Sequence, residues 1–165
     1  MMPAWVRNFF FPELKRSFWI RLGLVSVVAY GVFGHVCILT RNRGRSMEPT
    51  YADGAFNFCW RPRFLFSAPQ AGDVVIVRLA GLRVMVLKRV VATAGDTVEF
   101  RDGYLFVNGK RQEEPYVRHR GNWNLPPRTV KPGHIYVVGD NRGMPMAEHA
   151  FGQTPVRRVK GGPLL

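Results

Sequence analysis

The chain has 165 residues, enough for one domain with an appendage. Its net charge of +13 indicates an anionic partner, which could be lipid, an acidic substrate or nucleic acid. The arginines are spread over every segment and form no long block, which disfavours a nucleic-acid binder. The two cysteines, Cys37 and Cys59, show no CxxC or Cys/His spacing, so no zinc site is predicted.

The N-terminal part is predicted to hold a membrane anchor. Residues 1–17 are short, basic and aromatic, which is typical of an interfacial lead-in. From Leu22 to Leu39 the single charge-capable residue is His35, and with its flanks this stretch reaches the roughly 17 to 25 residues of a spanning helix. A signal peptide would have a shorter apolar core, of about 7 to 15 residues. We therefore predict a transmembrane anchor over residues 18–40.

Residues 41–165 are predicted to form a β-domain, because short β-type runs alternate there with turn signals. Residues 111–132 contain four prolines and are predicted to be an irregular excursion. The fold class is therefore mainly β, with a single N-terminal transmembrane helix followed by coiled antiparallel sheets. The predicted strands are Ala55–Trp60, Val74–Leu79, Leu82–Ala92, Thr97–Arg101, Tyr104–Val107 and His134–Val138, with Val156–Val159 as a last short element.

One serine has the setting of a reactive group. Ser46 lies a few residues after the predicted anchor, in an irregular run between Gly44 and Pro49. The other three serines lie in or beside the apolar segment or in a loop. A serine hydroxyl is a weak nucleophile until a base takes its proton.

Lys88 is the candidate base, since it lies in an apolar run with Val84, Val86 and Val90 on its side of the strand. Burial disfavours the ammonium and lowers the pKa of a lysine. Taken alone, the strand favours a lysine whose ammonium reaches water at the sheet edge. The neighbouring Arg89 cannot serve as the base because a guanidinium does not lose its proton.

Four boxes in chain order resemble those of the type I signal peptidases, which include bacterial leader peptidases and mitochondrial inner membrane protease subunits. The boxes are Ser46-Met47-Glu48-Pro49-Thr50, Gly72-Asp73-Val74-Val75, Lys88-Arg89-Val90-Val91 and Gly139-Asp140-Asn141-Arg142. The resemblance covers roughly residues 20–152 and implies a membrane-anchored β-domain with a Ser/Lys dyad.

The resemblance also implies a role for individual residues. Ser46 would be the nucleophile and Lys88 its general base. Substrate binding is implied for Gly44, Met47, Val86 and Leu87, and support of the turn behind the dyad for Asp140, Asn141 and Arg142. No cofactor and no metal is implied. The implied partners are preprotein signal peptides, bound as an added strand, the lipid bilayer, and other protease or translocation subunits.

The chain departs from the family pattern in two places. Many members have a serine two positions before the nucleophile, where this chain has Gly44. Many also have a Ser-x-Asp-Ser-Arg run after the last box, whose serine orients the lysine; here Pro145 and Ala147 stand in it, followed by Glu148 and His149. We expect an active enzyme with altered substrate preference, in which another group orients the lysine.

Three alternatives stay open. A conjugation-type pilin maturation peptidase would use the same dyad, and a catalytically impaired membrane-tethered binding subunit would not use it. Self-cleaving repressors share the Ser/Lys β-domain. This alternative is disfavoured, because residues 1–40 lack the helix-turn-helix pattern expected of a DNA-binding N-terminus. The expected location is the bacterial plasma membrane, with the catalytic domain on the periplasmic or outer face; the mitochondrial inner membrane is the alternative. The basic residues on the two sides of the anchor are nearly balanced, so charge leaves the orientation open.

Overall fold

The N-terminal unit is an apolar helix. The computed structural model describes residue 3, residues 15–78 and residues 85–164. Helix α1 (Arg16–Gly31) continues as a π-helix, Val32–Val36, and buries none of its residues. Its 21 residues have a mean hydropathy of 1.5. At about 1.5 Å per residue they span about 30 Å, the thickness of a bilayer's hydrocarbon core. The helix is therefore long and apolar enough to cross a membrane.

The helix ends before residue 40, where the sequence places the end of the anchor. Cys37–Arg41 form a strand instead. Ile38 and Thr40 are β-branched, which favours a strand, and Thr40 Oγ1 donates a hydrogen bond to the carbonyl of Asn57 (3.0 Å). Of the predicted segment 1–17, only residue 3 and residues 15–17 are described, and the helix already begins at Arg16. Residues 79–84, where the predicted strands Val74–Leu79 and Leu82–Ala92 meet, lie outside the described residues.

Eleven strands follow within the described residues and form two sheets of antiparallel pairs. They are β1 (Cys37–Arg41), β2 (Phe56–Trp60), β3 (Val74–Val77), β4 (Val86–Thr93), β5 (Thr97–Arg101), β6 (Tyr104–Val107), β7 (Lys110–Arg111), β8 (Leu125–Thr129), β9 (His134–Val138), β10 (Gly152–Pro155) and β11 (Val159–Pro163). The larger sheet has the order β1-β2-β11-β3-β4-β9-β10 and the smaller one β7-β6-β5-β8. The predicted fold class, mainly β with one N-terminal apolar helix, is confirmed.

Two-residue turns set the hairpins of the smaller sheet. Asn108 and Gly109 have φ angles of 53° and 75°, the positive values that a type I′ turn requires. Asp102 and Gly103 turn in the same way, with φ angles of 46° and 79°. Strands β5 and β6, which these turns bound, occupy the ranges that the sequence predicts, and so does β9 in the larger sheet.

Strand β8 corrects the prediction that residues 111–132 are irregular throughout. It pairs with β5 at the edge of the smaller sheet, although it contains Pro126 and Pro127. Proline cannot donate a hydrogen bond to a ladder, so an edge strand accepts it where a central strand would not. Residues 112–124, between β7 and β8, are irregular as predicted.

Strands β4 and β9 lie at the centre of the core. Along β9, Ile135 and Val137 join one buried cluster, whereas Tyr136 and Val138 join the other. Strand β4 contributes Val90 to the first cluster and Val91 and Ala92 to the second. Because these strands are packed on both faces, residues on them and just after them are held firmly in place.

We expect Gly103→Ala to be much more destabilising than Gly109→Ala. The two glycines have nearly equal positive φ angles, so the backbone strain is matched. A Cβ at Gly103 would overlap the carbonyl oxygen of Gly121, whereas a Cβ at Gly109 would meet nothing within 4 Å. The expected losses in free energy of unfolding are about 3 and about 1 kcal/mol. Urea unfolding of both variants checks this, and equal losses would contradict it.

Candidate active site

The loop between β1 and β2 presents Ser46. Gly44 has a φ of 94°, a left-handed conformation that favours glycine, and its N–H donates to Asp53 Oδ1 (2.9 Å). On the other side of the serine, Met47 is buried and its carbonyl accepts a hydrogen bond from the N–H of Tyr51 (3.0 Å). The backbone is thus fixed on both sides of Ser46, whose side chain stays partly exposed.

Lys88 lies on β4 and its amine reaches Ser46. Lys88 Nζ donates a hydrogen bond of 2.6 Å to Ser46 Oγ. The lysine is 1% exposed, and fully buried Val75 lies directly opposite it on β3. Burial lowers the pKa of Lys88 to about 8; the charge of Asp140 opposes this shift and that of Arg142 adds to it. The lysine is therefore buried, and the expectation from the strand alone, of an ammonium that reaches water at a sheet edge, is wrong.

The turn after β9 holds the serine segment from behind. The N–H of Asn141 donates to the carbonyl of Ser46 (3.0 Å), and Asn141 Nδ2 donates to the carbonyl of Arg45 (3.0 Å). Gly139 packs so closely that a Cβ on it would overlap the Ser46 carbonyl oxygen. The predicted turn residues and the predicted nucleophile are thus brought together from opposite ends of the domain sequence.

Asp140 is fully buried and paired. It accepts two hydrogen bonds from Arg89, from Nε (2.9 Å) and from Nη2 (2.7 Å), and a third from Thr50 Oγ1 (2.6 Å). The Arg89 guanidinium also stacks on the ring of Tyr116, 3.9 Å from its centroid. Sequence reasoning gave Thr50 and Arg89 no role at the site. The structure shows that they hold the Asp140 carboxylate.

Arg142 forms a second buried ion pair. Its Nη2 donates to Glu114 Oε1 (2.6 Å) and its Nε donates to the carbonyl of Gly139 (2.7 Å), with neither charged side chain more than 1% exposed. Glu114 was not predicted as a site residue. The sequence narrows the choice to Glu113 and Glu114, the acidic residues of the range 111–132, but the need for an acid appears only once Arg142 is seen to be buried.

A cleft of about 390 Å³ lies beside Ser46. All four residues predicted to bind substrate line it: Gly44, Met47, Val86 and Leu87. Among the described residues, β3 pairs with β4 from Val86 to Arg89, whereas β9 pairs with β4 only from Arg89 onward. The backbone of Val86 and Leu87 therefore has one edge that β9 leaves open.

The run that departs from the family pattern forms a short 3-10 turn, Met146–Glu148. Pro145 precedes this turn, and the buried His149 comes directly after it. Within the part of the chain that the structure describes, the hydrogen-bond partner of Lys88 Nζ is Ser46 Oγ.

Comparison with known proteins supplies the family. A family model described as signal peptidase, peptidase S26, matches residues 15–162. The chain is 32% identical to thylakoidal processing peptidase 1 of Arabidopsis thaliana, over 70% of this chain and 37% of that protein. It is 31% identical to signal peptidase I V of Bacillus subtilis, over 90% and 96%, and 32% identical to signal peptidase I of Bacillus licheniformis, over 72% and 69%.

These matches differ in how much of each relative they cover. The chain spans little more than a third of the plant protein and nearly all of the Bacillus subtilis protein. The family model covers most of this chain, including the helix and both sheets. The chain therefore belongs to the signal peptidase family, peptidase S26.

Proposed function

We propose that the protein is a serine endopeptidase that removes signal peptides from exported or membrane-inserted preproteins, with Ser46 as nucleophile and Lys88 as general base. The observation that carries the proposal is the 2.6 Å hydrogen bond between the buried Lys88 amine and the Ser46 hydroxyl. The relatives named as signal peptidases support the same reaction.

The lowered pKa makes Lys88 a usable base. With a pKa of about 8, about a tenth of the amine is neutral at pH 7, against roughly 0.03% for a lysine at the ordinary value of 10.5. The neutral amine takes the hydroxyl proton as Ser46 Oγ attacks the scissile carbonyl. The resulting ammonium gives this proton to the nitrogen that leaves as the C–N bond breaks. A water that the same amine deprotonates then cleaves the ester and restores the serine.

We assign the developing oxyanion to the backbone N–H of Ser46. Many family members add a hydroxyl from the residue two positions earlier, and Gly44 has none to offer. The backbone N–H then bears more of the negative charge in the transition state.

The substrate is proposed to bind as an added strand along Val86 and Leu87. Among the described residues β9 leaves this side of β4 open, so we expect its backbone to pair with an extended peptide. Val86 and Leu87 also line the cleft of about 390 Å³ beside Ser46, so a strand bound along them would reach the nucleophile.

The membrane in question is proposed to be the bacterial plasma membrane, with the β-domain on its outer face; the mitochondrial inner membrane is the alternative. Matches to Bacillus proteins support the bacterial plasma membrane.

We further propose three segments: the N-terminal lead-in over residues 1–17, the anchor over residues 18–40 and the catalytic domain over residues 41–165. The last residues of the anchor range continue into β1. Translocation or other protease subunits are proposed as partners.

Cleavage of a preprotein with an Ala-x-Ala site, in liposomes, tests the dyad. We expect Ser46→Ala and Lys88→Ala each to lower kcat by roughly 10³-fold or more, because the nucleophile and its base act as a unit. Ser67→Ala is the matched control, since that serine is exposed in a loop away from the cleft. Wild-type rates in either dyad variant would refute the assignment.

The dependence of kcat/KM on pH reports the base in the free enzyme. Because the lysine must be neutral to act, we expect kcat/KM to rise with pH and to level off above a pKa of about 8. A stopped assay at fixed ionic strength from pH 5 to pH 10 measures this. A plateau that begins below pH 6 would show that another group is the base.

Lys88→Met should abolish cleavage and stabilise the fold at pH 7. The unfolded lysine keeps its proton up to about pH 10.5, whereas the folded lysine holds it only up to about pH 8, so burial of the amine destabilises the fold at neutral pH. Methionine removes that penalty, for an expected gain of about 3 kcal/mol.

The stabilisation of the fold by Lys88→Met should depend on pH. The gain should shrink as the pH rises from about 8 to 10.5, since both states of the lysine are then neutral. Chemical unfolding of wild type and Lys88→Met at pH 7 and pH 10.5 measures it. A gain that is the same at both pH values would contradict a lowered pKa.

A further inference from the structure

His149 is a buried histidine behind the nucleophile. It is 5% exposed, and its ring packs edge to face on Trp123, with the centroids 4.9 Å apart. Trp123 is itself fixed, because its Nε1–H donates to the carbonyl of Met144 (2.8 Å) and its ring packs on Phe100, 5.5 Å between centroids. One side of the imidazole therefore packs against an indole ring that is itself held in place.

The other side of the imidazole presses on the turn that holds Ser46. A Cβ built on Gly139 would overlap both His149 Cε1 and the carbonyl oxygen of Ser46. The imidazole and the Ser46 carbonyl therefore both lie against the side of Gly139 on which a side chain would stand. Because glycine leaves that place empty, the ring and the serine segment pack closely there, and a shift of the ring would disturb the serine segment.

A hydrogen bond links the same ring to the same segment. His149 Nε2 lies 3.1 Å from the carbonyl oxygen of Asn141. A carbonyl only accepts, so Nε2 carries the proton and donates it. The N–H of Asn141 in turn donates to the carbonyl of Ser46, and its side chain donates to the carbonyl of Arg45. Asn141 thus links the imidazole to the backbone of Ser46 through two hydrogen bonds.

The imidazole is neutral over the whole working pH range. Burial, together with the charges of Lys88 and Arg142, lowers the pKa of His149 to about 3, and the bond to Asn141 opposes this shift. With Nε2 protonated, Nδ1 is a bare acceptor, and it is buried with no hydrogen-bond partner among the described residues. A second cation beside the base is thus avoided.

We infer that His149 is a positioning residue for the nucleophile, holding Ser46 at hydrogen-bond distance from Lys88 through Gly139 and Asn141. The inference rests on the proposed function. It gives the histidine no contact with substrate and no proton to transfer. The histidine thus holds the serine side of the Ser46–Lys88 pair, whereas the run in which this chain has Pro145 orients the lysine in many family members.

His149→Phe and His149→Gln separate the bond from the packing. Phenylalanine keeps a ring against Trp123 and loses the bond to Asn141, so we expect kcat to fall about tenfold with KM changed less than about twofold. Glutamine keeps an N–H donor of similar reach, and we expect it to restore kcat to within about threefold of wild type. His134→Gln is the matched control, because that ring also bonds a backbone carbonyl, that of Pro132, at 2.9 Å. It should cleave at the wild-type rate.

The pH profile distinguishes positioning from an electrostatic effect. A residue that acts through Ser46 leaves the acidic limb of kcat/KM near pH 8 in every variant. A limb displaced by about one pH unit or more in His149→Phe would overturn the inference, because the histidine would then act on Lys88. Wild-type kcat in His149→Phe would also overturn it.

Loss of kcat without rescue by His149→Gln, together with a lower unfolding midpoint in both variants, would reduce the role to stability and overturn the inference as well. Absence of cleavage by the wild type would refute the proposed function and the positioning role together. Cleavage by the wild type at rates equal to those of the His149 variants would refute the positioning role alone.

Discussion

A lysine amine buried against a serine hydroxyl is the constraint on which the site depends. An ammonium in this place would be poorly solvated, and a protein usually meets that cost by adding a carboxylate, which would hold the proton on Lys88. Here the nearby acids are already engaged, Asp140 by Arg89 and Glu114 by Arg142. Each of these two acids is neutralised by an arginine, so neither needs Lys88 as a counter-charge. Burial is therefore the largest influence on the pKa of Lys88.

The two ion pairs also join the parts of the domain that meet at the site. One links β4 to the turn after β9, and the other links that turn to the irregular segment 112–124. Truncation of Glu114 would leave the buried Arg142 without its acid, which is more costly than the loss of the bond itself. Folding of the domain and the acidity of the lysine are therefore set by the same contacts.

Local patterns in the sequence predicted β5, β6 and β9 with their bounds, and the turns on both sides of β6, because turn residues and alternation act over a few positions. Strand β8 was missed since only its place at a sheet edge, a tertiary property, makes Pro126 and Pro127 acceptable. Glu114 was missed because its partner lies 28 residues away and the pairing depends on how the irregular segment folds. Ser46 and Lys88 were predicted to meet and do so, while their chemical roles stay predictions.

The departure from the family pattern has a physical logic. A Ser-x-Asp-Ser-Arg run supplies a hydroxyl and charges, whereas Pro145 and Ala147 supply neither. Two residues after Ala147 the chain instead places a neutral ring, that of His149, packed between Trp123 and Gly139. Packing holds a group in place at any pH and adds no charge that would compete for the proton of a neighbouring base. In a site that works by keeping an amine neutral, a packed neutral ring with one hydrogen bond to the backbone positions the nucleophile and adds no charge that would raise the lysine pKa.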